Sequence, residues 1–165
     1  VQWQRDTSIV CPDLNDIGSS ITVTSSNFTG RTITGLEPGN RYTITVIVSN
    51  GAGSGPVSNA VTAMTIATAP SAPPPDLTVT DVNSSTITVE WGEVPCINQN
   101  GAITGYSVQY GVMESGNTEI VNVDGATVNE ATITGLMPST TYSIQVAAVN
   151  RAGTREYSDP EMAET

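Results

Sequence analysis

Four short stretches carry residues with chemical potential. In "VIVSNGAGSGPV" (46–57) a strand-like apolar run leads into Gly51, Gly53 and Gly55. A glycine-rich turn after a buried strand is one way to cradle a phosphate on backbone amides. "DLNDIG" (13–18) begins like a calcium loop. "NFT" (27–29) and "NSS" (83–85) are N-glycan acceptor tripeptides at Asn27 and Asn83. Cys11 and Cys96 are the two sulfhydryl residues.

The first two weaken on inspection. The dinucleotide pattern requires a third glycine where Pro56 stands, and a helix directly after it, yet "VSNAVTAMT" alternates like a strand. In the calcium loop, Ile17 occupies the fifth position, where an oxygen ligand is needed, and Thr24 the twelfth, where a bidentate Glu belongs. No metal site and no cofactor are expected.

The 165 residues hold five Arg, no Lys and no His, and the formal net charge is -11. Without His, a serine or cysteine nucleophile has no imidazole partner within this chain. No catalytic residue is assigned. Nucleic acid and anionic membrane surfaces require a basic footprint that is missing. No run of about 18 apolar residues occurs, so no spanning helix and no direct membrane contact are expected. The start, "VQWQRDTS", lacks the basic head and apolar stretch of a signal peptide.

The elements that would position these residues read as strands. Val, Ile, Thr and Tyr alternate in short runs punctuated by Gly, Pro, Asn and Ser, and no segment keeps a helical period. Residues 33–65 and 133–165 repeat with an offset of 100, and 14 of the 33 positions are identical. These include Gly35/Gly135, Leu36/Leu136, Pro38/Pro138, Tyr42/Tyr142, Asn50/Asn150 and Gly53/Gly153. A period near 100 matches one β-sandwich module rather than a solenoid unit. The second copy places Arg151 and Arg155 where the first has Gly51 and Gly55. The glycine stretch is therefore expected to be a hairpin turn, with Gly53 supplying a positive φ.

"GLxPxxxY" followed by "V.A.N.AG....S" resembles the second half of a fibronectin type III domain. The resemblance implies an all-β fold of tandem immunoglobulin-like sandwiches. It implies that Leu36 and Leu136 fill the core beneath the turn between strands E and F. It also implies that Tyr42 and Tyr142 open strand F with their hydroxyls bonded back to the turn, a tyrosine corner. Upstream, "PPDLTVTDVNSSTITVEWGEV" resembles strands A and B with Trp91 as the core tryptophan, and "ITGYSVQYGV" resembles strand C with Tyr106 and Tyr110 on one face.

The first copy begins at "VQWQR", which aligns with strand C. The expected organisation is a partial module over 1–66, a proline-rich linker over 67–75 and a complete module over 76–165. The partial module should hold C near 1–6, C′ near 19–26, E near 28–34, F near 40–50 and G near 56–66. Lacking A and B, it should expose one sheet face and be marginally stable, and the natural protein is expected to continue upstream. Four prolines in "TIATAPSAPPPD" favour a stiff, extended connector.

Within that resemblance the C–C′ loop bearing Cys11 lies at the exit end of one module and the B–C loop bearing Cys96 at the entry end of the next. A Cys11–Cys96 disulfide is one reading; two free or separately engaged thiols, or pairing of Cys11 with an upstream cysteine, are the others. Asn83, in the A–B turn, is expected to be exposed, and Asn27 lies near the start of strand E. The implied role is that of a non-catalytic, extracellular adhesion and spacer pair. It would belong to a larger cell-surface receptor or secreted matrix protein, and its partners would be other protein domains and neighbouring modules. Spacer modules of a secreted carbohydrate-active enzyme, or intracellular filament modules, are the alternatives.

Overall fold

The computed structural model describes residues 1–5, 19–20, 30–113 and 115–165. They fall into two compact units, Val1–Ala67 and Thr68–Thr165.

The second unit contains β7 (Thr78–Val82), β8 (Thr86–Glu90), α1 (Cys96–Gln99), β9 (Ile103–Val112), β10 (Glu119–Asp124), β11 (Glu130–Thr134), β12 (Thr141–Asn150) and β13 (Glu161–Glu164). They form one four-stranded sheet in the order β10-β9-β12-β13 and one three-stranded sheet in the order β11-β8-β7, with all pairs antiparallel. Alternation dictates what each sheet buries. In "TITVEW", Ile87, Val89 and Trp91 are buried while Glu90 is exposed. In β12, Tyr142, Ile144, Val146 and Ala148 face the same core, and from β9 come Tyr106 and Val108. The Trp91 and Tyr106 rings lie 5.2 Å apart at 53°, a tilted pair of the kind aromatic quadrupoles favour. Each fully buried aliphatic here contributes roughly 1.5–3 kcal/mol.

The segment expected as a linker behaves differently from a free connector. From Thr68 onward it belongs to the second unit. Thr68 N–H donates to Asn100 O (3.2 Å), Ser71 N–H to Asn98 O (2.8 Å) and Gly92 N–H to Pro75 O (2.7 Å). Pro70 and Pro74 are buried. Proline has no amide to satisfy, so its ring buries cheaply while the few remaining polar groups find partners. The partners lie around α1, a single turn that strand alternation does not announce. It closes at Asn100 in the left-handed conformation (φ 51°), and Gln99 Nε2 donates to Val94 O (2.8 Å).

The first unit contains β1 (Gln2–Arg5), β2 (Ser19–Ser20), β3 (Arg41–Thr45), β4 (Ile47–Asn50), β5 (Gly53–Val57) and β6 (Val61–Met64). The sheet order β2-β1-β3-β6 reproduces the second unit's four-stranded order, and β4-β5 form a hairpin. The expected strand F is broken at Val46. Its register with β1 ends at Gln2↔Thr45, so one edge loses its neighbour there, whereas β9 runs beside β12 as far as Asn150. Of the expected strand E, the described part, 30–34, forms no strand. Its counterpart β11 is held by β8 alone. The described residues of the first unit offer no such partner, and an isolated strand leaves its backbone groups unpaired.

Candidate functional site

The repeat is reproduced atom by atom at the turn before strand F. Glu37 N–H donates to the Tyr42 hydroxyl (2.8 Å), and Met137 N–H donates to the Tyr142 hydroxyl (2.9 Å). Both corners turn on a glycine in the left-handed region, Gly35 (φ 75°) and Gly135 (φ 77°). Each is closed by a threonine that strand patterning does not single out. Thr65 Oγ1 donates to Glu37 O (2.6 Å) and accepts from Asn40 N (3.0 Å). Thr165 Oγ1 does the same for Met137 O (2.5 Å) and Thr140 N (3.2 Å). The signal was available, because Thr65 and Thr165 are among the identical pairs. Gly53 (φ 137°) and Gly153 (φ 112°) both adopt the positive φ expected of the hairpin glycine.

Burial separates the two units. Tyr42 and Tyr142 are both buried. Further along the same inward-facing series, Val46 is 44% exposed against 0% for Val146, and Val48 is 75% exposed against 2% for Ala148. Leu36 is half-buried, whereas Leu136 is buried. Ile87 and Val89 of β8, with Trp91 just after it, belong to the cluster that packs on Val146 and Ala148. Among the described residues of the first unit nothing plays that part.

The second unit adds two polar devices. Asn150, nearly fully buried, uses its whole side-chain amide: Nδ2 donates to Thr68 O (2.7 Å) and Gln99 O (2.9 Å), and Oδ1 accepts from Ala152 N (2.8 Å). Its repeat partner Asn50 is exposed and keeps only the turn bond from Ala52 N (2.9 Å). Tyr157, in the turn after β12, shares a 3.0 Å hydrogen bond with Ser107. Ser107 pairs in register with the fully buried Ala147.

The remaining expected residues are dispersed. Trp91 and Tyr106 sit in the core, as the resemblance implied. Asn83 is exposed in the β7–β8 turn, where its Nδ2 donates to Asp81 Oδ2 (3.0 Å) and Thr86 Oγ1 (3.2 Å). Cys96 opens α1. Cys11, Asn27 and the 13–18 stretch lie outside the described residues. Among the described residues no nucleophile, base and cleft are brought together.

Electrostatically the surface is acidic and poorly compensated. The ion pair found among the described residues is Arg155–Glu156 at 4.0 Å, an exposed contact that contributes little. Two tyrosines are perturbed. The Tyr110 hydroxyl donates to Glu119 Oε2 (2.7 Å), and that bond, with burial adding to it, raises its pKa. Burial, then the charge of Glu93, raises that of Tyr106, while the Trp91 indole pulls the other way. No helix among the described residues is long and apolar enough to cross a membrane.

The profile of the fibronectin type III domain matches residues 1–64 and again 71–164. The chain belongs to the fibronectin type III family. Among curated proteins it is 36% identical over 137 residues to the receptor-type tyrosine-protein phosphatase F of Bos taurus, covering 81% of this chain and 7% of that one. Protein sidekick-2 of Mus musculus is 34% identical over 134 residues, covering 81% of this chain and 6% of that one. The cell adhesion molecule DSCAM of Gallus gallus is 32% identical over 152 residues, covering 88% of this chain and 8% of that one. The chain thus spans under a tenth of the length of these relatives. Among solved structures, the third fibronectin III domain of the human KIAA0343 protein superposes with a TM-score of 0.55 at 26% identity, covering 59% of this chain and 83% of that one. The FN1–FN3 domains of chicken CNTN1 share the fold, with a TM-score of 0.56 at 23% identity, covering 98% of this chain and 54% of that one.

Proposed function

We propose that this chain is a non-catalytic pair of adhesion and spacer modules in the extracellular part of a larger cell-surface receptor or matrix protein. Its work is contact with other protein domains, neighbouring fibronectin type III modules among them. One observation carries the reading. The relatives that share about a third of their residues with most of this chain are named as a receptor-type phosphatase and as a cell adhesion molecule. The acidic surface agrees with protein partners rather than nucleic acid or anionic lipid. Recognition falls on loops and exposed sheet surface, where such scaffolds present their variable side chains.

Two covalent features belong to the same proposal. Asn83 is a glycan acceptor, supported by its exposed turn. Cys11 and Cys96 form a disulfide, supported by the absence of a second cysteine in either repeat and of a free cysteine among the described residues.

The test is surface labelling of intact cells that express the full-length protein, with a membrane-impermeant biotin reagent. Recovery of this segment in the labelled fraction is expected, and exclusive recovery from lysed cells overturns the reading. On the same material, endoglycosidase should shift the mass at the Asn83 peptide, and a non-reduced digest should contain the Cys11–Cys96 peptide pair. Unmodified Asn83 together with two alkylatable thiols would favour intracellular filament modules instead.

A further inference from the structure

The most densely bonded polar feature of the second unit is the place where the chain enters it. Asn150 spends both of its amide protons on backbone carbonyls, one on the incoming segment (Thr68 O) and one on the α1 turn (Gln99 O). The same turn reaches the incoming segment three more times. Asn100 O takes Thr68 N–H, Asn98 O takes Ser71 N–H, and Asn100 Nδ2 donates to Ala69 O (3.1 Å). The Ser71 hydroxyl adds longer contacts to Asn98. Upstream, Ile66 O accepts from Gly39 N–H (3.2 Å) within the first unit.

We propose that residues 68–71 are a preset arm of the second unit rather than a tether, with Asn150 as the clasp that aims them. The inference goes beyond the adhesive role proposed above and stands whether or not that role is correct. A free polyproline connector over 67–75 would reach roughly 28 Å at about 3.1 Å per residue and would swing as a semi-rigid rod about its ends. The arm cannot, because its polar groups are spent on α1 and Asn150 and because Pro70 and Pro74 are buried. Asn150 reports the device by contrast with Asn50. The two are identical in the repeat, but without an arm and an α1 turn to grip among the described residues, the Asn50 amide is left exposed. The second unit thus fixes the path of its own entry segment, through hydrogen bonds that a single substitution can release.

The experiment is amide hydrogen exchange by nuclear magnetic resonance on the whole chain, with Thr68 and Ser71 as reporters and the β9 and β12 amides as the folding control. In the wild-type chain both reporters should exchange at least roughly tenfold more slowly than unstructured amides. Asn150→Asp keeps the acceptor for Ala152 but removes both donors, and it should speed both reporters roughly five- to tenfold. Asn150→Asp could unfold the second unit, so Asn100→Gly is the second arm of the test. It preserves the left-handed backbone while deleting the bond to Ala69, and it should loosen the reporters with β9 and β12 still protected. Unprotected Thr68 and Ser71 in the wild-type chain would overturn the proposal. So would wild-type rates at both reporters in a folded variant.

Discussion

The hydroxyl of Tyr142 accepts a hydrogen bond from the backbone N–H of Met137, five residues back along the chain, at 2.9 Å. That bond ties the start of β12 to the turn that precedes it and satisfies an amide that faces the core. Tyr142→Phe keeps the ring and removes the acceptor. The expected cost is about 1–2 kcal/mol, the net value of a bond whose donor is left partly buried. Thermal unfolding of the second unit should fall by roughly 4–8 °C per kcal/mol. An unchanged midpoint would mean that water replaces the hydroxyl without loss.

The two units should differ in how tightly they hold their amides. In native-state hydrogen exchange the amides of Tyr142 and Ile144 should be slower than those of Tyr42 and Ile44. The former sit in a strand flanked on both edges and covered by a second sheet, while the latter border an exposed face. Equal protection along β3 and β12 would contradict this.

Matched truncations give the same contrast as an energy. Val146→Ala deletes two methyl groups from a fully buried site and should destabilise by about 2 kcal/mol. Val46→Ala, at the equivalent position with 44% exposure, should stay within about 0.5 kcal/mol. Urea unfolding in a Trp3→Phe background would read the first change through Trp91 alone, and amide resonances would read the second. Similar costs at the two sites would show that the first unit's sheet is covered in solution.

Stability should fall at alkaline pH. A tyrosine whose folded pKa lies above its unfolded value, about 10, contributes stability that is fully present below that value. The contribution is lost as pH rises through the folded pKa. Both Tyr106 and Tyr110 are raised in this way. Urea midpoints measured upward from about pH 9 should therefore decline as phenolate absorbance grows. Glu119→Gln removes the carboxylate that anchors the Tyr110 hydroxyl, so Tyr110 should ionise earlier than in the wild type. If it ionises at the same pH, the 2.7 Å bond is not the cause of the shift.

With a net charge of -11 and scarcely any ion pairing among the described residues, the folded chain works against its own repulsion. Raising salt from about 0.01 M to 0.15 M shortens the screening length from about 30 Å to 8 Å. The unfolding midpoint of the second unit should rise with it, and a fall would show that the acidic groups make favourable contacts that salt weakens.

Much of this architecture could be read from local patterning. The short alternating runs pointed to strands, and the resemblance carried by the repeated Gly-Leu-x-Pro-x-x-x-Tyr implied a tyrosine corner in each copy. The expectation failed where a residue's role depends on a distant partner. The 30–34 stretch has strand-like composition but, among the described residues, no neighbouring strand to bond with. The proline run looked like an independent connector, because nothing in its composition shows that Asn150, 82 positions from Thr68, grips it. The α1 turn escaped notice because four residues are too few to establish a period.

By itself, the sequence determined the class of fold, the module period and the identity of the core. Side-chain alternation and turn geometry are set by neighbours along the chain, and they persist wherever those neighbours recur. Only the tertiary structure decided that Asn150 is buried where Asn50 is exposed. The two share a repeat position, but burial is a property of what packs against a side chain from elsewhere.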